Sequence, residues 1–165
     1  ATLLRTVPGL LFLHTAGARW TKAGAHARHT VEALDEVGPA QRLWLIDVPD
    51  SLEGAYILRD GIDFALALVH GREKVHRVIP VVRRPVGPAA DGLSVERLER
   101  GRYLLRPPPG VELPPCFSQI TDVEAAALVL TSGEGEVIEA RIALEPADAV
   151  ACWSEDGLRL LDAPR

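Results

Sequence analysis

Apolar residues return at helical steps early in the chain. Trp20, Gly24, Ala27, Val31 and Leu34 lie three or four positions apart, which predicts one buried helix face over residues 20–36, closed by Gly38-Pro39. His26, Arg28, His29, Glu32 and Asp35 fall elsewhere on that helix, mainly toward solvent. Residues 42–48 carry the unbroken apolar run Leu43-Trp44-Leu45-Ile46 and end at Pro49-Asp50, the pattern of a buried strand running into a loop. A helical turn capped by Asp50 or Ser51 is expected over residues 51–56. A second amphipathic helix is expected through Ile62, Ala65, Leu66 and Val69.

From Val75 onward the period shortens to that of strands. Residues 75–83 are rich in Val and Ile, and Pro80 within them predicts an edge or bulged strand. Three hairpins follow from turn signals: residues 93–98 with 102–105 across Glu99-Arg100-Gly101, 126–131 with 136–144 across Ser132-Gly133-Glu134-Gly135, and 150–153 with 158–161 across Ser154-Glu155-Asp156-Gly157. Pro107 to Pro109, Pro114 and Pro115 make a stiff connection. The sum is an α+β fold, with N-terminal helices and a buried strand joined to an antiparallel β meander.

A length of 165 residues suits a single domain over 1–165, with a helical α/β part at 19–71 and a β-rich part at 72–165. Hydrophobic residues at 47% and charged residues at 25% are enough to build a core. The lack of methionine and the start at Ala1 suggest a piece of a longer protein. Residues 6–18 contain no charged side chain and include Leu10, Leu11, Phe12 and Leu13. This stretch is shorter than the ~20 residues of a membrane span, and Pro8, Gly9 and His14 interrupt it as a signal peptide. Two readings stand for residues 1–18: a buried first element, or the trailing end of a transmembrane helix with Arg19, Trp20 and Lys22 at the interface.

A formal net charge of -5 argues against nucleic acid as a partner. The charge is uneven, however. Nine basic residues face four acids between positions 70 and 107, and acids dominate after Gly110. The two segments are expected to neutralise each other as neighbouring surfaces; the sharper alternative turns the arginines toward lipid headgroups or a phosphate.

No phosphate-loop, dinucleotide or nucleophile-elbow pattern occurs, so no catalytic residue and no cofactor is assigned. His26 and His29 share a helix face but lack a matching carboxylate, so they are read as surface histidines and no metal is assigned. Cys116 and Cys152 fit either a disulfide or two buried thiols. The remaining chemistry gathers after the strand at 42–48, where Asp50, Tyr56, Arg59 and Asp60 are the candidate binding residues at the carboxyl end of a strand. Residue chemistry alone equally allows a turn network in which Arg59 pairs with Asp50 or Asp60.

That stretch, LIDVPDSLEGAYILRDGIDFALAL at residues 45–68, resembles a segment of the form NLPDxxxGAYxFRNGxxxAL. The segment belongs to the soluble C-terminal region of bacterial multi-spanning membrane proteins similar to the dolichyl-phosphate-mannose-dependent protein mannosyltransferase family. Pro49, Asp50, Gly54, Ala55, Tyr56, Arg59 and Gly61 fit the pattern, while Leu58 stands for its phenylalanine and Asp60 for its asparagine. The resemblance spans residues 7–71. It implies an extracytoplasmic accessory domain of a polyprenyl-phosphate-sugar-dependent membrane glycosyltransferase, with the membrane-embedded part of the same protein as partner and lipid headgroups or a glycosyl acceptor nearby. Catalytic acids in that family lie between membrane spans, so none is carried over. Two alternatives stand beside it. One is a free-standing sugar- or phosphate-binding module or enzyme using the end of strand 42–48; the other is a structural interaction domain offering residues 107–115 and the strand near Pro80.

Overall fold

The computed structural model describes residues 3–33, 40–52, 55–56, 62, 65, 75–86, 93–108, 122–132, 137–154 and 157–165, with the backbone alone described for residues 3–15 and some strand positions. One long helix, α1 (Leu3–Ala33), is followed by β1 (Ala40–Ile46), β2 (Val48–Leu52) and β3 (Ala55–Tyr56). Next come β4 (Val75–Pro80), β5 (Arg83–Val86), β6 (Ser94–Glu99) and β7 (Arg102–Arg106). A short helix, α2 (Asp122–Ala127), leads into β8 (Leu128–Ser132), β9 (Ile138–Ile142), β10 (Asp148–Ser154) and β11 (Gly157–Asp162). The class is α+β, mostly β with a helix.

The central sheet has the order β11-β10-β1-β4, with β1 parallel to both β10 and β4. A strand flanked on both sides and covered on both faces reads as a continuous apolar run, and Leu43, Trp44, Leu45 and Ile46 are all buried. Alternation divides them between two clusters. Leu43 and Leu45 join Val78, Ala149 and Ala151 beneath Val31 and Ala27 of α1, with Ile62 and Ala65, both helical, on the same side. Trp44 and Ile46 face the other way with Ile79, Val150 and Cys152, against Tyr103, Leu105, Leu128, Ala140 and Ile142. These last belong to the second sheet, order β6-β7-β9-β8 and antiparallel throughout. The result is a helix layer, the central sheet and the second sheet.

The three hairpins expected from turn residues are present. Arg100-Gly101 turns β6 into β7, with Gly101 at φ 75°. A Cβ there would collide with the carbonyl oxygen of Ile142, so glycine is required on two grounds. The meander is not continuous, however. The β10–β11 hairpin leaves the second sheet and pairs β10 with β1, Arg42 opposite Asp148 and Ile46 opposite Cys152. The physical reason lies in β10 itself, where Ala149, Val150, Ala151, Cys152 and Trp153 are all buried, as an interior strand requires. Pro80 lies in β4, an edge strand of the central sheet, as expected.

Two local expectations are corrected. Ser51, Leu52, Ala55 and Tyr56 lie in strands and not in a helical turn: β2 and β3 pair Ser51 with Tyr56 and Leu52 with Ala55, and β2 is committed to a parallel ladder with β5. On α1, Trp20 is 58% exposed and Gly24 is also exposed, so the buried face consists of Ala23, Thr30 and Val31. Buried Thr30 satisfies its hydroxyl by donating to the His26 carbonyl at 2.9 Å. Residues 34–39, the segment containing Leu66 and Val69, and residues 109–121 lie outside the described residues.

Candidate functional site

The candidate binding residues lie beyond a bend at the carboxyl end of β1. Asp47 is buried and left-handed at φ 59°, a conformation that an aspartate tolerates better than most residues. Bonds from Val81 N to the Leu45 carbonyl at 2.9 Å and from Val48 N to the Val82 carbonyl at 3.0 Å stitch both strands through the bend. After it, β2 and β5 continue the parallel pairing of β1 and β4. This brings the backbones of Asp50 and Tyr56 onto one hairpin, since Tyr56 pairs with Ser51. Arg59 and Asp60 lie outside the described residues, as does Cys116. Cys152 is buried, with its thiol 3.2 Å from the Trp153 carbonyl oxygen.

Two buried carboxylates that the sequence reading did not single out organise the polar interior. Asp148 receives Arg42 in a bidentate arrangement, Nε to Oδ1 at 2.9 Å and Nη2 to Oδ2 at 2.7 Å, and the Glu145 amide donates to it at 2.9 Å. The Arg42 guanidinium also meets Glu145 at 2.9 Å and sits 5.8 Å from the Trp44 ring centre. The Asp148 bond above all holds Arg42 more firmly protonated than usual. The neighbouring strand repeats the device, with Arg77 Nε donating to Glu124 at 2.9 Å.

Asp162 ends β11 against the second sheet. It accepts from Arg97 Nη2 at 2.7 Å, from the Gly101 amide at 3.2 Å and from the Tyr103 hydroxyl. Burial pushes the Asp162 carboxyl up, but the bonds from Arg97, Tyr103 and Gly101 together outweigh it and hold the group below its ordinary range. Burial first, then the Asp162 carboxylate, push the Tyr103 hydroxyl well up. Arg100 donates to the carbonyls of Ala163 and Glu145 at 3.0 and 3.2 Å, and Arg159 to that of Val95 at 2.9 Å. These groups are mutually satisfied, which makes them fastenings between layers.

The basic stretch is resolved in the same way. Arg77 pairs with Glu124, Arg97 with Asp162 and Arg102 with Glu139, so basic and acidic segments do neutralise each other at these positions, while Arg106 pairs with Glu96 inside the basic segment itself. His29 is exposed and meets the Trp153 ring edge-on at 5.6 Å. Among the described residues no group of three or more His, Cys, Asp or Glu gathers as a metal site.

The remaining distinctive surface is on α1. Residues 17–22 are exposed without interruption, more than one and a half turns, so at that level no side of the helix is covered. Trp20 is in line with the packed positions Ala27 and Val31, yet it lies open, within the uncovered stretch at residues 17–22. The helix continues through Pro8-Gly9, so the apolar stretch and the packed segment belong to one helix with a contour of about 46 Å at 1.5 Å per residue. Among the described residues no helix is long and apolar enough to cross a membrane. The chain matches no protein-family model, no curated protein and no solved structure.

Proposed function

We propose that this chain is the extracytoplasmic accessory domain of a polyprenyl-phosphate-sugar-dependent membrane glycosyltransferase, held beside the membrane-embedded part of the same protein and not catalytic alone. The observation that carries the reading is the course of α1. Its last turns are built into the core, residues 17–22 stand clear of it, and the same rod continues into Leu13, Phe12, Leu11 and Leu10. Arg19, Trp20 and Lys22 between the two parts have the composition of a membrane interface, an aromatic ring with cations beside it. The segment resembling NLPDxxxGAYxFRNGxxxAL supplies the glycosyltransferase part of the proposal, and the body would then shape or recognise the acceptor. The test is the reading frame upstream of Ala1. Several apolar spans of about 20 residues each are expected; a start codon directly before Ala1 would overturn the reading.

The bend at Asp47 favours a second reading, a sugar- or phosphate-binding module at the end of β1. Buried, left-handed non-glycine residues are uncommon and gather at functional sites, and this one leads into the strand carrying Asp50. Calorimetry against sugar phosphates tests it. Heat that disappears in Arg59→Ala supports a pocket, and an absence of heat with the unaltered chain removes it.

A further inference from the structure

We infer that β8 is a pairing edge for a second copy of this chain, the two β8 strands joining antiparallel about a two-fold axis at Leu130. The strands that end the two larger sheets are β11, β4, β6 and β8. Three of them carry what discourages a further strand: Pro80 in β4, Glu96, Arg97, Glu99 and a register shift in β6, Arg159, Asp162 and a register shift in β11. β8 carries none of these. Leu128, Val129, Leu130, Thr131 and Ser132 include no charge and no proline, pair with β9 in unbroken register, and among the described residues pair with β9 alone. Val129 is 52% exposed, and Thr131 and Ser132 are exposed as well.

The backbone fixes how a second copy fits. Ile142 N donates to the Gly101 carbonyl at 2.7 Å, toward β7, and Ala143 N donates to the Ala127 carbonyl at 2.8 Å, toward β8. Backbone groups alternate between the two sides of a strand, so Arg141 and Glu139 address Val129 and Thr131. The amides and carbonyls of Leu128, Leu130 and Ser132 therefore point to the open edge. An axis at Leu130 sets Leu130 against Leu130 and Leu128 against Ser132 twice, about six bonds in all. An axis at Val129 or Thr131 leaves about four within the strand. The same register places Val129 opposite Thr131 on the outer face, a pair of β-branched residues.

Charge sorts the registers in the same order. Arg141 is in line with Val129 and Glu139 with Thr131, so an axis at Leu130 puts Arg141 of each copy in line with Glu139 of the other. Shifting it sets arginine in line with arginine or glutamate with glutamate. Across about 14 Å, three strand spacings, this sorting is small beside the hydrogen bonds. With no charge inside β8, the -5 of each chain is not concentrated at the contact. The pairing is independent of the membrane reading, since the second sheet and α1 cover opposite faces of the central sheet.

Sedimentation equilibrium of the 165-residue chain should show reversible dimers within concentrations up to about 0.5 mM, a weak affinity because one short strand buries little surface. Ser132→Pro removes an outward donor at an exposed position and should raise the dissociation constant about tenfold. Val129→Glu sets like charges diagonally across the axis, as does Thr131→Lys, and each should raise it about fivefold. Within its own chain each new charge lies beside an opposite one, Arg141 or Glu139, so the fold is kept, which circular dichroism checks. Mixing Val129→Glu with Thr131→Lys should restore association, because the two charges stand opposite each other with the axis at Leu130 and in neither shifted register; recovery also excludes misfolding as the cause of the single losses. A chain that stays monomeric throughout, a dimer unaffected by Ser132→Pro and Val129→Glu alike, or a mixture that associates no better than its components overturns the inference.

Discussion

The two faces of the central sheet are built on different principles. Beneath α1 the sheet offers small and aliphatic side chains, Ala149, Ala151, Leu43, Leu45 and Val78, and the helix answers with Ala27 and Val31. Between the central and second sheets lie Trp44 and Ile46 against Tyr103, with Asp162 binding strands of different layers through Arg97 and the Gly101 amide, while Asp148 ties β10 to β1 through Arg42. Small residues let a helix approach closely but fix its position only by shape, whereas a satisfied buried carboxylate admits one alignment. The sheet–sheet contact is accordingly the frame of the molecule. The helix contact is the joint through which a force on the N-terminal rod would be passed to the body.

The strongest way to break this contrast is on the fastened side. Asp162→Ala leaves the Tyr103 hydroxyl and the Gly101 amide without their acceptor beside a cation, at a cost of about 3 kcal/mol. Urea unfolding should show the midpoint falling without a change in cooperativity, since both sheets share one core. A loss below about 0.5 kcal/mol, the range of ordinary surface substitutions, would show that Asp162 is no fastening.

A smaller effect is expected on the helix side. Ala151→Leu forces three further carbons under α1, and overpacking of this kind costs about 2 kcal/mol. The location of the damage matters more than its size. Hydrogen exchange should quicken over residues 23–33 while Tyr103 and Ala140, across the other face, keep their protection. Uniform loss of protection would mean that the two faces fail together and that the helix is not a separable joint.

Much of this frame could be read from residue order, and the part that could not has a definite cause. Each hairpin was legible because its turn chemistry is local: Gly101 at positive φ fixes β6 against β7 whatever the rest of the chain does. The parallel pairing of Arg42 with Asp148 joins residues 106 apart, and no local signal says which strand lies beside which. Arg42 opening one apolar run and Asp148 opening another was the available clue, since a buried cation needs an anion at its own level. The periodicity of α1 was read correctly as helix but wrongly as cover, because the pattern reports a face and not how far the sheet beneath it extends; Trp20 lies past that limit. At the candidate site Asp50 and Tyr56 share a hairpin, whereas Arg59 and Asp60, the other half of the expected constellation, lie outside the described residues.

The finest probe of the fastened face is pH, because its two bonded groups are displaced in opposite directions. Asp162 has its folded pKa held below the unfolded value near 3.9, so the unfolded chain binds the extra proton in between. Its contribution is complete above about pH 4 and fades as pH falls through the folded pKa. Tyr103 is raised above the unfolded value near 10, so its contribution is complete below about pH 10 and fades as pH rises toward the folded pKa. The urea midpoint should therefore form a plateau between two declining limbs. Tyr103→Phe should lower the plateau by about 1 kcal/mol and flatten the alkaline limb, since the hydroxyl that would ionise is gone. Asp162→Asn should flatten the acid limb in turn. Ala151→Leu, acting on the helix face, should lower the whole curve without changing its shape; a limb that vanished in that variant would mean that the helix contact and the buried carboxylate are one cooperative unit, and the contrast between the two faces would be lost.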